Sequence, residues 1–134
     1  MQFSYILIDA SDCLESTLEH IKEYDDFLCV AICTTRKDAI NRILELKPNV
    51  VFLSINSAHN ETDSICFSIL SELHEFLDEL PTIIVLSDVK EGAYEAYQRG
   101  VSGYLLTPID PNELRKCLMR YQRRIKLYMP ILFP

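Results

Sequence analysis

The chain has 134 residues, 49% of them hydrophobic, and a net charge of −7. That length holds one domain with a substantial core and is short for two. The acidic balance argues against a nonspecific grip on nucleic acid, which relies on clustered Lys and Arg to release counterions, and no apolar run approaches the ~20 residues of a membrane-spanning helix.

Strand and helix signals alternate along the chain. Tyr5 to Ile8 form an apolar run that stops at Asp9, the pattern of a buried strand. Ser11 or Asp12 then caps a helix, with Glu15 as the capping-box partner of Asp12 and Leu14, Leu18 and Ile21 on one face. A second strand spans Phe27 to Ile32. Thr35 and Asp38 make another capping box, Ala39, Ile40, Ile43 and Leu44 give an apolar stripe, and Pro48 ends that helix. Val50 to Ser54 is the third strand. After a polar connection, Asn56 to Asp63, a helical stripe runs through Ile65, Ile69, Leu73, Phe76 and Leu80.

Pro81 precedes the fourth strand, Thr82 to Leu86, which ends at Ser87 and Asp88. Ala93, Ala96 and Tyr97 define a short amphipathic helix closed by Gly100 at C′. Tyr104 to Leu106 is the fifth strand. Asp110 then stands as N-cap, Pro111 as N1 and Glu113 as N3 of a last helix. Its apolar stripe is Leu114, Cys117, Leu118, Tyr121, Ile125 and Tyr128. Residues 1–128 read as one domain, and residues 129–134 as a tail or the start of a linker.

The five cysteines (Cys13, Cys29, Cys33, Cys66 and Cys117) are odd in number and lack CxxC spacing. This points to free thiols in a reducing compartment. Cys29 and Cys33, four apart on one strand, are expected on the same side as small buried hydrophobes. The N-terminus has neither a basic n-region nor a small-residue cleavage site, so a cytoplasmic protein is expected.

Continuously apolar strands separated by helices imply an α/β fold, a doubly wound five-stranded parallel sheet covered on both faces. Right-handed crossovers leave few topologies, and the order 2-1-3-4-5 suits five strands. Strands 1 and 3 then flank the switch point, with Asp9 and Ser54 facing each other across the crevice. The turn after strand 1, DASDC, has no glycine, which argues against a nucleotide or flavin phosphate site. Asp9 is the one acid placed securely for a metal, too little for Mg²⁺ by itself.

YILIDASD, NVVFLSINS, TIIVLSD and GYLLTPIDPNEL, in this order and spacing, resemble a response-regulator receiver domain, a CheY-like flavodoxin-type fold. The last block resembles the receivers that precede LytTR-type DNA-binding domains. The resemblance runs from about Tyr5 to Leu127. It implies an acid pair for Mg²⁺ after strand 1, a phosphoaccepting aspartate ending strand 3, a Thr or Ser ending strand 4, a Lys after strand 5, and a switch aromatic on strand 5.

Residue by residue the match is partial. Asp9 fits the first acid, but Ala10 takes the second acid's place. Ser54 occupies the phosphoacceptor position and Ser87 the hydroxyl position. Thr107 stands in place of the Lys, Pro108 fits the proline after it, and Tyr104 fits the switch aromatic. A cis Thr107–Pro108 bond is implied. An acyl phosphate needs a carboxylate nucleophile, a metal and a neighbouring cation. With these missing, the resemblance implies a degenerate two-component (phosphorelay) receiver with no catalytic residue and no cofactor, since the family's Mg²⁺ is doubtful here. Such a domain would act by binding proteins. The implied partners are a histidine kinase, an effector domain, or a second copy through helices 4 and 5, where Arg115, Lys116, Arg120, Arg123 and Arg124 lie; no direct contact with nucleic acid or membrane is implied.

Two alternatives stay open. One is an active receiver with relocated chemistry, Ser54 being phosphorylated or Asp63 accepting, that regulates a C-terminal DNA-binding domain. The other is a small flavodoxin-like metal- or nucleotide-binding enzyme. His59 and His74 are the histidines weighed as bases for Ser54.

Overall fold

A computed structural model describes residues 2–9, 14–55 and 67–128, with side chains described up to 123 in the last helix. The elements are β1 (Phe3–Ile8), α1 (Leu14–Lys22), β2 (Phe27–Cys33), α2 (Arg36–Leu46), β3 (Val50–Ile55), α3 (Ser68–Phe76), β4 (Thr82–Ser87), α4 (Ala93–Gln98), β5 (Gly103–Leu106) and α5 (Pro111–Tyr128). The strands form one parallel sheet in the order β2-β1-β3-β4-β5, the doubly wound order expected from the alternation.

The inner strands are apolar through their middles because helices cover both faces. Ile6, Ile8, Val51, Leu53, Ile83 and Val85 join residues of α2, α3 and α4 in one core. Tyr5, Leu7, Val50, Phe52, Ile84 and Leu86 point to the other side, against α1 and α5. On α5 the buried stripe is Leu114, Cys117, Leu118 and Tyr121; Ile125 and Tyr128 lie outside the described side chains. Among the described residues no helix is long and apolar enough to cross a membrane.

Several helix ends follow the local signals. The Asp38 N–H donates to Thr35 Oγ1 at 3.2 Å, so Thr35 caps α2. The Asn112 N–H donates to Asp110 Oδ1 at 2.8 Å, so Asp110 caps α5. At the end of α4, Gly100 has φ +97°; its N–H reaches the Tyr97 carbonyl at 3.2 Å, and the Val101 N–H reaches the Ala96 carbonyl at 3.3 Å. This bond pair is a Schellman motif, and its left-handed residue favours glycine. The α1 cap falls in residues 10–13, outside the described residues. The Thr107–Pro108 peptide is cis.

Two expectations are corrected. Cys29 and Cys33 do not share a side. The β1–β2 register steps from Tyr5↔Cys29 to Ile6↔Ala31, leaving Val30 as an extra residue. A bulge of one residue inverts the alternation beyond it. Cys29 therefore packs with the α1/α5 core and Cys33 with the α2–α4 core. The α3 stripe also ends early: Ile69, Leu70 and Leu73 are buried, but Phe76 is 62% exposed. The chain turns extended at Leu77 (φ −124°, ψ 134°), and Leu77 and Leu80 cover the core from the connection instead.

The approach of α5 to β5 depends on Gly103, where an added Cβ would lie 2.7 Å from Cys117 Sγ. Overpacking of a core contact costs typically 1–3 kcal/mol. Gly103→Ala should lower the unfolding free energy in urea by about that amount, and Cys117→Ala in the same chain should recover a large part of it.

Candidate functional site at the carboxyl edge of the sheet

The last β1–β3 pair is Ile8↔Leu53, so Asp9 and Ser54 are the next residues of two adjacent strands. Tyr5 and Leu7 share a side with Val50 and Phe52; alternation carries Asp9 and Ser54 to that same side. Asp9 is 1% exposed and its N–H donates to the Cys33 carbonyl at 2.9 Å. Ser54 is half-buried, opposite Leu86 of β4. Ser87 ends β4, buried, opposite Ile55 on one side and Leu106 on the other. Its carbonyl accepts from the Thr107 N–H at 2.8 Å. The sheet register thus brings Asp9, Ser54, Ser87 and Thr107 to one edge, as expected. Ala10, His59 and Asp63 lie outside the described residues.

Among the described residues, the donors at this edge are too few for the Mg²⁺ that the fold family uses: Asp9 offers a carboxylate and Ser54 a hydroxyl, whereas hard cations of this kind take carboxylates plus substrate oxygens. Among the described residues no group of three or more His, Cys, Asp or Glu is placed to hold a metal. Burial, with the charge of Asp38 as a second cause, pushes the Cys33 thiol up to about 11. It stays protonated at neutral pH and is neither nucleophile nor thiolate ligand.

His74 is not a base for Ser54. Its Nε2 lies 3.4 Å from the Arg99 carbonyl, just before the amino end of β5 and so at the opposite edge of the sheet. His20 turns to its own helix, with Nδ1 2.7 Å from the Ser16 carbonyl. A serine hydroxyl becomes a good nucleophile only beside a base.

What the edge does contain is a mechanical link. Ser87 Oγ accepts from the Val89 N–H at 3.2 Å. The Tyr104 hydroxyl donates to the Val89 carbonyl at 2.5 Å. Val89 therefore ties the end of β4 to the aromatic on β5. Tyr104 lies over Gly92: a Cβ there would meet the Tyr104 hydroxyl oxygen at 3.2 Å and the Phe67 ring at 3.3 Å. Behind Phe67 stands Arg99, its guanidinium 6.0 Å from the ring centroid and bonded to Glu95, Ser71 and the Phe67 carbonyl. Sequence reading placed Ser87 and Tyr104 but not Val89, Gly92, Phe67 or Arg99. The contacts that join them, Val89 with Tyr104, Gly92 with Tyr104 and Phe67, and Phe67 with Arg99, span distant parts of the sequence, and no local pattern marks them.

The comparisons with known proteins agree with this geometry. No family model matches the chain. The chain is 29% identical over 118 residues to an uncharacterized response regulatory protein of Yersinia pestis, covering 88% of this chain and 47% of that protein. It is 30% identical over 99 residues to the transcriptional regulatory protein BtsR of Salmonella typhi, covering 74% and 39%. Among solved structures, a DNA-binding response regulator of the LuxR family from Staphylococcus aureus superposes with a TM-score of 0.72 at 25% identity, over 89% of this chain and 98% of that one. Fold, motifs and relatives together make the chain a response-regulator receiver domain of the CheY-like kind. It spans about half the length of the curated relatives it matches.

A lost neutral hydrogen bond costs about 1 kcal/mol. Tyr104→Phe and Ser87→Ala should each lower stability by about that much in urea unfolding. Because both bonds meet at Val89, the double variant should depart from additivity by about 0.5 kcal/mol or more.

Proposed function

We propose that the domain serves two-component signalling as a receiver-type interaction module that works without an aspartyl phosphate on strand 3. The observation that carries this is Ser54 at the phosphoacceptor position, beside Asp9. Ala10 and Thr107, in the places of the second acid and the Lys, point the same way. Forming an acyl phosphate requires a carboxylate, and stabilising it requires opposing charge.

The surface offered to a protein partner is the face of α4 and β5 that Tyr104 supports. Tyr94 is 76% exposed, and Tyr97 and Leu106 are about half exposed. Exposed aromatic and aliphatic groups clustered in this way serve as anchors in protein interfaces. The partner class is a kinase or an effector domain. An effector in the same chain, of the LytTR DNA-binding type, is supported by the TPIDPNEL block and by relatives about twice as long as this chain. Regulation of transcription would then belong to that effector, with this domain holding it.

Incubation with Mg²⁺ and acetyl phosphate, followed by intact mass, tests the reading. The chain should gain no phosphoryl group, and Ser54→Asp alone should gain none either. The triple variant Ala10→Asp/Ser54→Asp/Thr107→Lys should gain one. Mg²⁺-dependent phosphorylation of the unaltered chain would overturn the reading, and its site would tell whether Ser54 or Asp63 has taken over.

A further inference from the structure

The sheet ends on two edges of different kinds. β5 is four residues long, GYLL, whereas β2 is seven, FLCVAIC. β2 stands first in the strand order and pairs with β1. Among the described residues no strand lies along its other side, where a row of backbone N–H and C=O groups faces outward. Proteins guard such edges with short strands, with charge or proline in the strand, or with a bulge. β5 is short. β2 is apolar along its whole length, without charge or proline, and its guard is the bulge at Val30 in mid-strand.

The side chains of β2 are also open to water. Leu28 is 51%, Val30 38% and Ile32 42% exposed. Leu28 stands between Phe27 and Cys29, which face the α1/α5 core, so it points to the α2 side. Ile32 stands between Ala31 and Cys33, which face the α2–α4 core, so it points to the α1 side. By inverting the alternation, the bulge puts an apolar group on each face of the edge.

The two ends of β2 carry opposite charge. Glu23, Asp25 and Asp26 precede the strand, and Arg36 and Lys37 follow it at the start of α2. Asp26 accepts from Gln122 Nε2 at 3.2 Å, and Arg36 is paired with Glu72 at 2.5 Å. Glu23, Asp25 and Lys37 are exposed and are the charges a neighbour meets first. Lys22 offsets one charge of the acidic end, and Asp38 at the basic end is paired with Arg42 at 3.8 Å.

We propose that a second copy of this chain docks on β2, adding its own β2 antiparallel across a two-fold axis near Val30 and joining two five-stranded sheets into one of ten. An isologous contact requires one patch that is complementary to itself. A strand acidic at its start, apolar through its length and basic past its end is such a patch. Antiparallel pairing sets Glu23 and Asp25 of each copy toward Lys37 of the other, whereas parallel pairing would set acid beside acid. An unrelated extended peptide would share the backbone bonds and lack this match of ends. The contact lies at the opposite end of the sheet from β5. It leaves the α4–β5 face free and does not rest on the phosphorylation reading.

Sedimentation equilibrium over a concentration series, with amide hydrogen exchange read at low and high concentration, tests the proposal. A dimer should form, and amides within Phe27–Cys33 should exchange about tenfold more slowly or better at the higher concentration, while those of β5 keep their rates. Val30→Lys places a charge on the open edge at a side chain already exposed, and should raise Kd by about tenfold or more. Lys37→Glu and, separately, Glu23→Lys/Asp25→Lys should each weaken the dimer. Mixing these last two variants should restore a heterodimer, because acidic and basic ends then match again. That restoration separates a lost contact from a misfolded variant. A chain that stays monomeric to about 1 mM, slowing confined to α4, β5 or α5, association that grows beyond two copies, or variants that fail to restore each other would overturn the proposal.

Discussion

The parallel register of β1, β3 and β4 is the constraint on which the rest depends. Ile8 opposite Leu53, and Ile55 opposite Ser87, fix where each strand stops. Because both faces are apolar, burial alone would not resist a one-residue slip; the fit of particular side chains, such as Tyr5 edge-on against Phe52, holds the register. Everything at the carboxyl edge inherits this precision: Asp9 and Ser54 follow the paired ends of adjacent strands, and the Thr107 N–H meets the Ser87 carbonyl. The frame of the site is thus set by strand packing, whatever groups stand at its edge.

The same register brings Ser87 and Tyr104 to Val89 from opposite sides. In a phosphorylated receiver the hydroxyl at the end of strand 4 would answer to a phosphoryl oxygen. Here that hydroxyl is engaged with the chain's own backbone, and Tyr104 rests over Gly92 against Phe67. The connection between edge and outer face is thus closed by hydrogen bonds internal to the protein.

Much of the fold was legible because its signals are local. Continuous apolar runs bounded by polar residues gave all five strands. Thr35, Asp110 and Gly100 marked helix ends through side-chain oxygens and a left-handed backbone. The bulge at Val30 was not legible, since FLCVAIC is apolar on both sides of it and alternation leaves no trace when every residue qualifies. Phe76 was misplaced because helical spacing continues in the sequence past the point where the backbone turns extended. At the edge, residue identities placed Asp9, Ser54, Ser87, Thr107 and Tyr104 in advance. The Val89–Gly92–Phe67–Arg99 assembly is purely tertiary and had no sequence signature.

We propose that the carboxyl edge has the geometry of a phosphorylation site without its response to phosphate. Backbone amide NMR during titration with Mg²⁺ and beryllofluoride, which mimics an aspartyl phosphate, addresses it most directly. The amides of Asp9, Ser54, Ser87, Val89 and Tyr104 should stay in place throughout the titration. Saturable, Mg²⁺-dependent shifts that begin at Ser54 and extend through Val89 to Tyr104 would contradict it.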